Sequence, residues 1–156
     1  PIGEEETFGA LHDRLAKMGA GLLLNALAML EAGTLQPRRQ DHRLATLAPR
    51  LGRESGLIRW DADAGAIVSL IRGLSPTPSA YTFLDGKKLK IFRATAQAAA
   101  VADAPGTVAG ESAAGLRVAA ANGYVLLSEV QLEGRKRLAV SDFLRGVRIA
   151  PGQVLG

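Results

Sequence analysis

The sequence predicts an α+β fold in which a long helix and an irregular linker precede a small, partly open β-barrel with one leading helix. Three changes along the chain indicate this order. Apolar residues repeat with a helical period over residues 7–32, prolines interrupt residues 34–60, and apolar residues alternate with a period of two beyond residue 78. Five or so short strands with one helix suffice for a barrel of this kind.

The first element is a helix over residues 7–32. Thr7 is placed to cap its N-terminus, and Gly33 to end it. Gly19 and Gly21 each cost about 1 kcal/mol relative to alanine, so we expect a bend or a close helix contact there. One face is apolar, with Leu11, Leu15, Met18, Leu22 and Met29. The residues that follow offer this apolar face no partner. We therefore expect the helix to be an element of a larger domain.

A linker over residues 35–60 leads to a second helix. Pro37 and Pro49 break the regularity of the linker. Asp61 is in position to cap the helix, and Pro76 and Pro78 end it. Its apolar residues fall at i, i+3, i+4 and i+7, at Ile67, Leu70, Ile71 and Leu74.

Two hairpins form the core of the predicted barrel. Strands 81–84 and 89–94 meet at Asp85-Gly86, and strands 116–121 and 124–131 meet at Asn122-Gly123. Both dipeptides favour type I′ turns. Residues 105–108 predict a further short strand, residues 141–146 a helical turn, and residues 154–155 a closing strand. The Ala-rich residues 95–104 are expected to form a mobile loop.

Composition excludes several kinds of protein and site. The 156 residues include no cysteine, which excludes disulfides, cysteine metal sites and a catalytic thiol, and His12 and His42 alone make a poor metal set. No apolar run approaches the roughly 18 residues of a membrane span, and the acidic N-terminus lacks the basic region of a signal peptide. We therefore expect a cytoplasmic protein. The chain starts at Pro1, which suggests a piece of a longer protein.

Charge is segregated along the chain, whose net charge is +4. Residues 1–34 carry five acids and two bases, whereas residues 35–60 carry six arginines and two acids. Further basic clusters are Lys87, Lys88, Lys90 and Arg93, and Arg135, Lys136, Arg137, Arg145 and Arg148. This pattern favours contact with a polyanion. A solvated basic surface explains the composition equally well.

Motifs for a self-contained active site are missing from the sequence. Gly19-Ala20-Gly21 lacks the third glycine of a dinucleotide fingerprint, no serine lies in a Gly-x-Ser-x-Gly pattern, and the acids are too scattered to nominate an acid/base pair.

A series of motifs resembles the methionyl-tRNA formyltransferase family along nearly the whole chain. The junction between the second helix and the first strand reads IRGLSPTPSAYT over residues 71–82, and LIRW precedes it. Residues 1–32 resemble the last helix of the family's catalytic domain. The remaining motifs occur in family order: TLAPRL at 46–51, GKKLKI at 86–91, PGTV at 105–108, VQ at 130–131, GRK at 134–136 and DFLRG at 142–146.

The resemblance implies a Rossmann-like catalytic domain joined to a C-terminal oligonucleotide-binding (OB)-like barrel. Residues 1–34 would be the C-terminal helix of the catalytic domain, residues 35–60 the interdomain linker, and residues 61–156 the barrel. The family transfers a formyl group from 10-formyltetrahydrofolate to the amino group of methionyl initiator tRNA in translation initiation. Its catalytic residues and folate pocket would precede Pro1. We therefore expect no catalytic, cofactor or metal residue in this chain, and no formyl transfer by the chain alone.

The family's barrel binds tRNA, so we expect a monomer that contacts initiator methionyl-tRNA through basic side chains. The candidates lie in the linker, the first hairpin and a later loop: Arg50, Arg53, Lys87, Lys88, Lys90, Arg93, Arg135, Lys136 and Arg137. Trp60 and Tyr81 are candidates for base stacking, although a core position is the favoured interpretation of both. Arg72, at a helix end, is expected to complement the helix dipole.

Two alternatives stay open. In one, the barrel belongs to a related formyltransferase that acts on a nucleotide-sugar or a folate and serves there as an assembly platform. In the other, the chain is a stand-alone OB-type nucleic-acid-binding module. Binding of initiator tRNA separates the first alternative from the main interpretation, and the sequence upstream of Pro1 separates the second.

Overall fold

The chain begins with a single long helix that lies outside the core. A computed structural model describes residues 1–156, apart from the side chain of Arg53. Helix α1 (Phe8–Glu31) starts where Thr7 Oγ1 accepts a hydrogen bond from Ala10 N at 3.3 Å, which confirms the predicted cap. No residue of α1 is buried. The helix is continuous through Gly19 and Gly21, and no described atom would touch a Cβ at either position, so the predicted close contact there is wrong.

Two short 3₁₀ turns, His42–Leu44 and Arg53–Gly56, follow in an otherwise irregular and exposed stretch. The end of this stretch is ordered against the sheet. Leu57 forms a parallel bridge with Tyr81, and Ile58 and Trp60 are buried in the core. These residues thus pack with the sheet although the sequence places them in the linker.

Helix α2 (Ala64–Leu74) covers one face of the sheet with Ala64, Ile67, Ile71 and Leu74, all buried. Its start differs from the prediction. Asp61 does not cap it and instead pairs with Arg59 at 3.0 Å. The free amide of Ala64 donates to Asn122 Oδ1 at 2.9 Å, so a residue from a distant turn caps this helix.

The sheet contains six antiparallel strands. They are β1 (Ala80–Leu84), β2 (Lys87–Ala98), β3 (Val108–Ser112), β4 (Gly115–Ala120), β5 (Gly123–Leu132) and β6 (Leu138–Ala139). Their order is β1-β2-β5-β4-β3, and β6 pairs with the end of β5. Helix α3 (Val140–Gly146) follows β6 and confirms the predicted helical turn.

The C-terminal residues contact both edges of the sheet, but Val154 forms only an isolated bridge with Thr107, and the predicted closing strand is absent from the described residues. Leu155 N donates to Gly106 O at 2.9 Å, ahead of β3, and Gly156 N donates to Phe83 O at 3.1 Å, on β1. Leu155 is buried in the core. The segment therefore satisfies edge groups that would otherwise be free to pair with another chain.

The two hairpin turns differ. Asp85 and Gly86 have φ of 51° and 74°, the positive values that the predicted type I′ turn requires. The second turn consists of Ala121 and Asn122, because Ala120 pairs with Gly123, and neither turn residue has a positive φ. The predicted type I′ turn at Asn122-Gly123 is therefore wrong. Its glycine is needed for space instead, since a Cβ at Gly123 would collide with Gln97 O on β2.

Strand β2 is longer than predicted. It continues to Ala98 and pairs with β5, with Thr95 opposite Leu126 and Ala98 opposite Gly123. The first four residues of the expected loop 95–104 are thus strand. The core lies between this sheet, α2 and α3, with Trp60 and Leu155 closing it. Even the 24-residue α1 does not reach the sustained hydropathy of a helix that crosses a membrane, and the same holds for every other described helix.

Candidate nucleic-acid interface

The outward surface of the first hairpin combines lysines with aromatic rings. In β1, Ala80, Thr82 and Leu84 are buried, while the alternate residues Tyr81 and Phe83 are only partly covered. In β2, Leu89 and Ile91 are buried, and Lys88 and Lys90 point away from the core. The register places Tyr81 opposite Lys90 and Phe83 opposite Lys88. We call this surface the hairpin face.

Strand β5 extends the hairpin face. Gln131 lies opposite Lys90, and Glu133 N donates to Lys88 O at 2.8 Å, which places Glu133 beside Lys88. A groove of about 250 Å³ runs along this boundary and is lined by Lys88, Lys90, Gln131, Leu132, Glu133 and Gly134. Gln131 Nε2 donates to Arg135 O at 2.8 Å and so ties the following loop to the face.

The two rings of the hairpin face contact each other. Their centroids lie 5.8 Å apart, and their planes are perpendicular, the edge-to-face geometry that aromatic quadrupoles favour. The ammonium of Lys88 sits 4.3 Å from the centroid of Tyr81. Trp60 is different. It is buried and donates from Nε1 to Thr82 Oγ1 at 3.1 Å, so it belongs to the core and offers no ring to a base.

An acid on β5 holds two of the predicted binding residues. Glu129 accepts from Arg137 Nε at 2.7 Å and from Arg137 Nη2 at 2.6 Å, and Arg93 Nε lies 4.0 Å from the same carboxylate. The Arg137 guanidinium also covers the ring of Phe92 at 4.1 Å. Arg137 is therefore committed to intramolecular contacts, and its charge is largely balanced.

The remaining candidates are freer. Lys87 lies at the hairpin turn, and Arg135 and Lys136 lie in the loop between β5 and β6, all exposed. Neither these three residues nor Lys90 has an ion-pair partner among the described side chains. We define Lys87, Lys90, Arg135 and Lys136 as the basic ridge. Lys90 lines the groove, and Arg135 and Lys136 follow its wall residue Gly134 in the chain.

The linker candidates stand apart from this ridge. Arg50 is exposed, and no hydrogen bond of the described residues ties it to the hairpin face. The side chain of Arg53 lies outside the described part of the chain.

Arg72 has a role that the sequence did not indicate. Its Nη1 donates to the carbonyl oxygens of Gly3, at 3.1 Å, and Glu4. It thereby fastens the N-terminal segment to α2, beyond any effect on the helix dipole. Beside it, Glu6 binds Arg14 through two hydrogen bonds of 2.8 Å and accepts from Gly3 N, and these bonds lower the pKa of Glu6 from its ordinary value to about 2.

Sequence reasoning missed Phe83, Gln131 and Glu129. A signal for Phe83 exists, because folding the chain at Asp85-Gly86 puts Phe83 opposite Lys88. For Gln131 and Glu129 the partner strand must be known, and the bulge at residues 91–94 shifts its register.

Comparisons by family and by sequence both match this chain to formyltransferases. The family described as "Formyl transferase, C-terminal domain" matches residues 50–148. The chain is 52% identical to the methionyl-tRNA formyltransferase of Syntrophus aciditrophicus (strain SB) over 156 residues, which are 100% of this chain and 50% of that protein. It is 45% identical to the protein of the same name from Citrifermentans bemidjiense, with 100% and 48% covered.

Among solved structures, a variant of HypX from Aquifex aeolicus has a similar fold. The TM-score is 0.70 at 18% sequence identity, over 97% of this chain and 28% of that one. The chain spans about half the length of the curated relatives it matches.

Proposed function

The chain belongs to the formyl transferase C-terminal domain family, and on this premise we propose that it is the tRNA-binding part of a methionyl-tRNA formyltransferase. Such an enzyme would transfer a formyl group from 10-formyltetrahydrofolate to the amino group of methionyl initiator tRNA. The names of relatives that are 52% and 45% identical over the whole chain support this.

The observation that carries the RNA-binding role is the basic ridge. Lys90 lines the groove, Arg135 and Lys136 follow its wall residue Gly134, and Lys87 starts the strand that carries Lys90. Hydrogen bonds tie these strands and the loop together. Backbone phosphates are recognised by lysine and arginine without regard to sequence, and helical RNA is read largely by shape and backbone. The ridge thus suits a structured RNA better than a small ligand.

The exposed surface of α1 supports a proposed domain arrangement. Nine large apolar side chains of this helix are exposed: Phe8, Leu15, Met18, Leu22, Leu23, Leu24, Leu27, Met29 and Leu30. We propose that α1, within residues 1–34, packs on a Rossmann-like catalytic domain, that residues 35–60 are a linker, and that residues 61–156 form an OB-like barrel. The formyl donor and the catalytic side chains would belong to that catalytic domain. The bridging of β1 and β3 by the C-terminal residues supports the barrel.

In this proposal the chain positions the tRNA relative to the catalytic domain. Phosphate contacts on the ridge would hold the body of the tRNA while its methionyl end reaches the formyl donor. Holding two reactants together in a suitable geometry lowers the entropic part of the barrier. The binding itself releases counterions and must weaken steeply as salt rises.

A matched pair of variants tests the RNA-binding role. Affinity of the chain for initiator tRNA is measured by gel shift over a series of salt concentrations. Lys90→Ala should weaken binding and lower the salt slope by about 1, whereas Lys17→Ala, the same change on exposed α1, should leave both unchanged. Affinity that does not depend on salt, or an equal loss in both variants, would contradict the proposal.

A further inference from the structure

We propose that the hairpin face holds one unpaired nucleotide of the bound RNA, with the base stacked on the ring of Tyr81, which Phe83 supports edge-to-face, and its phosphate between Lys88 and Lys90. The inference rests on the proposed RNA-binding function and adds a base-stacking subsite to it. An electrostatic ridge alone would hold only the backbone.

The position of the rings is the first observation. Tyr81 and Phe83 alternate with the core residues of β1, so both lie on the face turned away from the core. Their cross-strand neighbours there are Lys90 and Lys88. Lysines directly opposite aromatic rings on a solvent-facing sheet give a base both a ring to stack on and a positive charge for its phosphate.

The contact between Lys88 and Tyr81 is the second observation. A cation occupies the face of the Tyr81 ring at 4.3 Å, where a base would stack. The four-carbon stem of a lysine is flexible, and its ammonium binds phosphate as a point charge. Entry of a base would displace Lys88 from the ring toward the phosphate, so both groups would remain paired.

The groove beside the rings supplies the third observation. Its volume of about 250 Å³ has room for the sugar and phosphate of one nucleotide. Gln131 uses its amide nitrogen on Arg135 O, which leaves its amide oxygen to accept from the nucleotide. The carboxylate of Glu133, at the same wall, already accepts from Lys88 N at 3.3 Å.

The chemistry favours an unpaired nucleotide over a duplex. In a duplex the faces of the bases are stacked on each other, and side chains reach mainly the backbone and the 2′-hydroxyls. A ring pair on a sheet can bind only a base whose face is free. Duplex binding should therefore depend on the basic ridge alone.

The test compares two RNA probes by fluorescence anisotropy with the full chain. One probe is a short single-stranded oligouridine, and the other is a blunt RNA duplex of matched charge. The double substitution Tyr81→Leu and Phe83→Leu keeps apolar volume but removes the rings. It should weaken binding of the single strand by about 5-fold or more and leave binding of the duplex within about twofold.

Two controls keep the result interpretable. Tyr81→Phe retains the ring and should bind the single strand as the original chain does, and an unchanged thermal transition shows that the double variant folds. An equal loss for both probes, or no loss for the single strand, would overturn the inference. So would an acidic polyglutamate peptide that binds more tightly than the single strand, because the occupant would then be a protein.

Two outcomes distinguish loss of the base-stacking subsite from loss of RNA binding as a whole. If Lys90→Ala weakens tRNA binding while the ring variants bind both probes normally, the subsite is excluded and the RNA-binding role stands. If the original chain binds neither probe nor tRNA at low salt, the proposed function itself is excluded.

Discussion

Glu129 lies between two of the basic residues that the sequence nominates and decides how much of their charge is available. It holds Arg137 through two hydrogen bonds and lies 4.0 Å from Arg93. Arg137 is 38% exposed and Glu129 28% exposed, so this pair is worth at most about 1 kcal/mol of stability. Its larger effect is on the electrostatic potential that a phosphate meets next to the ridge.

Glu129→Gln should therefore strengthen RNA binding. The substitution removes one negative charge and frees two guanidinium groups, so we expect initiator tRNA to bind a few-fold more tightly at low salt, with the difference vanishing at high salt. Glu111→Gln on the edge strand β3, two strands away from β5 in the sheet order, changes the net charge equally and serves as the control. Weaker binding by Glu129→Gln would show that Arg137 contacts RNA only when Glu129 orients it.

Glu6 gives a prediction about pH. Its hydrogen bonds from Arg14 and Gly3 N lower its pKa to about 2. A carboxyl whose pKa is lower in the folded chain stabilises the fold above its unfolded value of about 4.3 and loses that contribution as pH falls toward 2. The N-terminal segment should stay docked at pH 4, and NMR titration of the Glu6 carboxyl should show a midpoint near 2. In Arg14→Gln the midpoint should rise toward the ordinary value, and an unchanged midpoint would refute this cause.

At the scale of elements, what the sequence predicts well is what residues close in the chain determine. Thr7 caps α1 through an amide three residues away, and Asp85-Gly86 closes its hairpin by itself. The start of α2 could not be predicted in this way, because its cap comes from Asn122, 58 residues further along. The roles of Asn122 and Gly123 in the second turn are likewise set by distant residues. Asn122 caps α2, and Gly123 leaves room for Gln97 O on β2.

The candidate site follows the same division. The lysines and rings of the hairpin face could be assigned from one turn and a period of two. The pairing of Arg137 with Glu129 could not be assigned, because it depends on the reversal between β5 and β6 at Gly134, whose φ is 73°. Composition identifies a basic surface, but only the fold separates balanced arginines from free ones.

The Asn122 cap predicts a specific loss of stability. Asn122→Ala should destabilise the chain by about 1 kcal/mol, because the amide of Ala64 then loses its acceptor at the start of α2. Asn122→Asp keeps an acceptor and adds a negative charge at a helix N-terminus, so its stability should stay close to that of the original chain. Urea unfolding at neutral pH measures both. An equal loss in the two variants would mean that the turn, and not the cap, needs asparagine.

At the scale of the whole molecule, the chain consists of one packed unit and one attached helix. The sheet, α2 and α3 share a core with Trp60 and Leu155, whereas α1 buries no residue. Contacts near its start hold the helix in place. Gly9 N donates to Ser75 O at 3.0 Å, and Gly9 lies against the ring of Pro76. Arg72 donates to backbone carbonyls just before the helix. Such an arrangement suits a helix whose apolar residues are meant for another surface.

Deleting residues 1–34 should therefore leave the packed unit folded. We expect its cooperative thermal transition to persist and to shift by no more than the roughly 4–8 °C that about 1 kcal/mol produces in a small domain, because few contacts are lost. Light scattering should fall, since the nine exposed apolar side chains of α1 are removed. Ile71→Ala in the full chain is the contrasting variant, for it opens a cavity under α2 and should cost about 2–5 kcal/mol. If the deletion destabilises the chain as much as Ile71→Ala does, α1 is part of the packed unit's own fold and is not an element presented to a second domain.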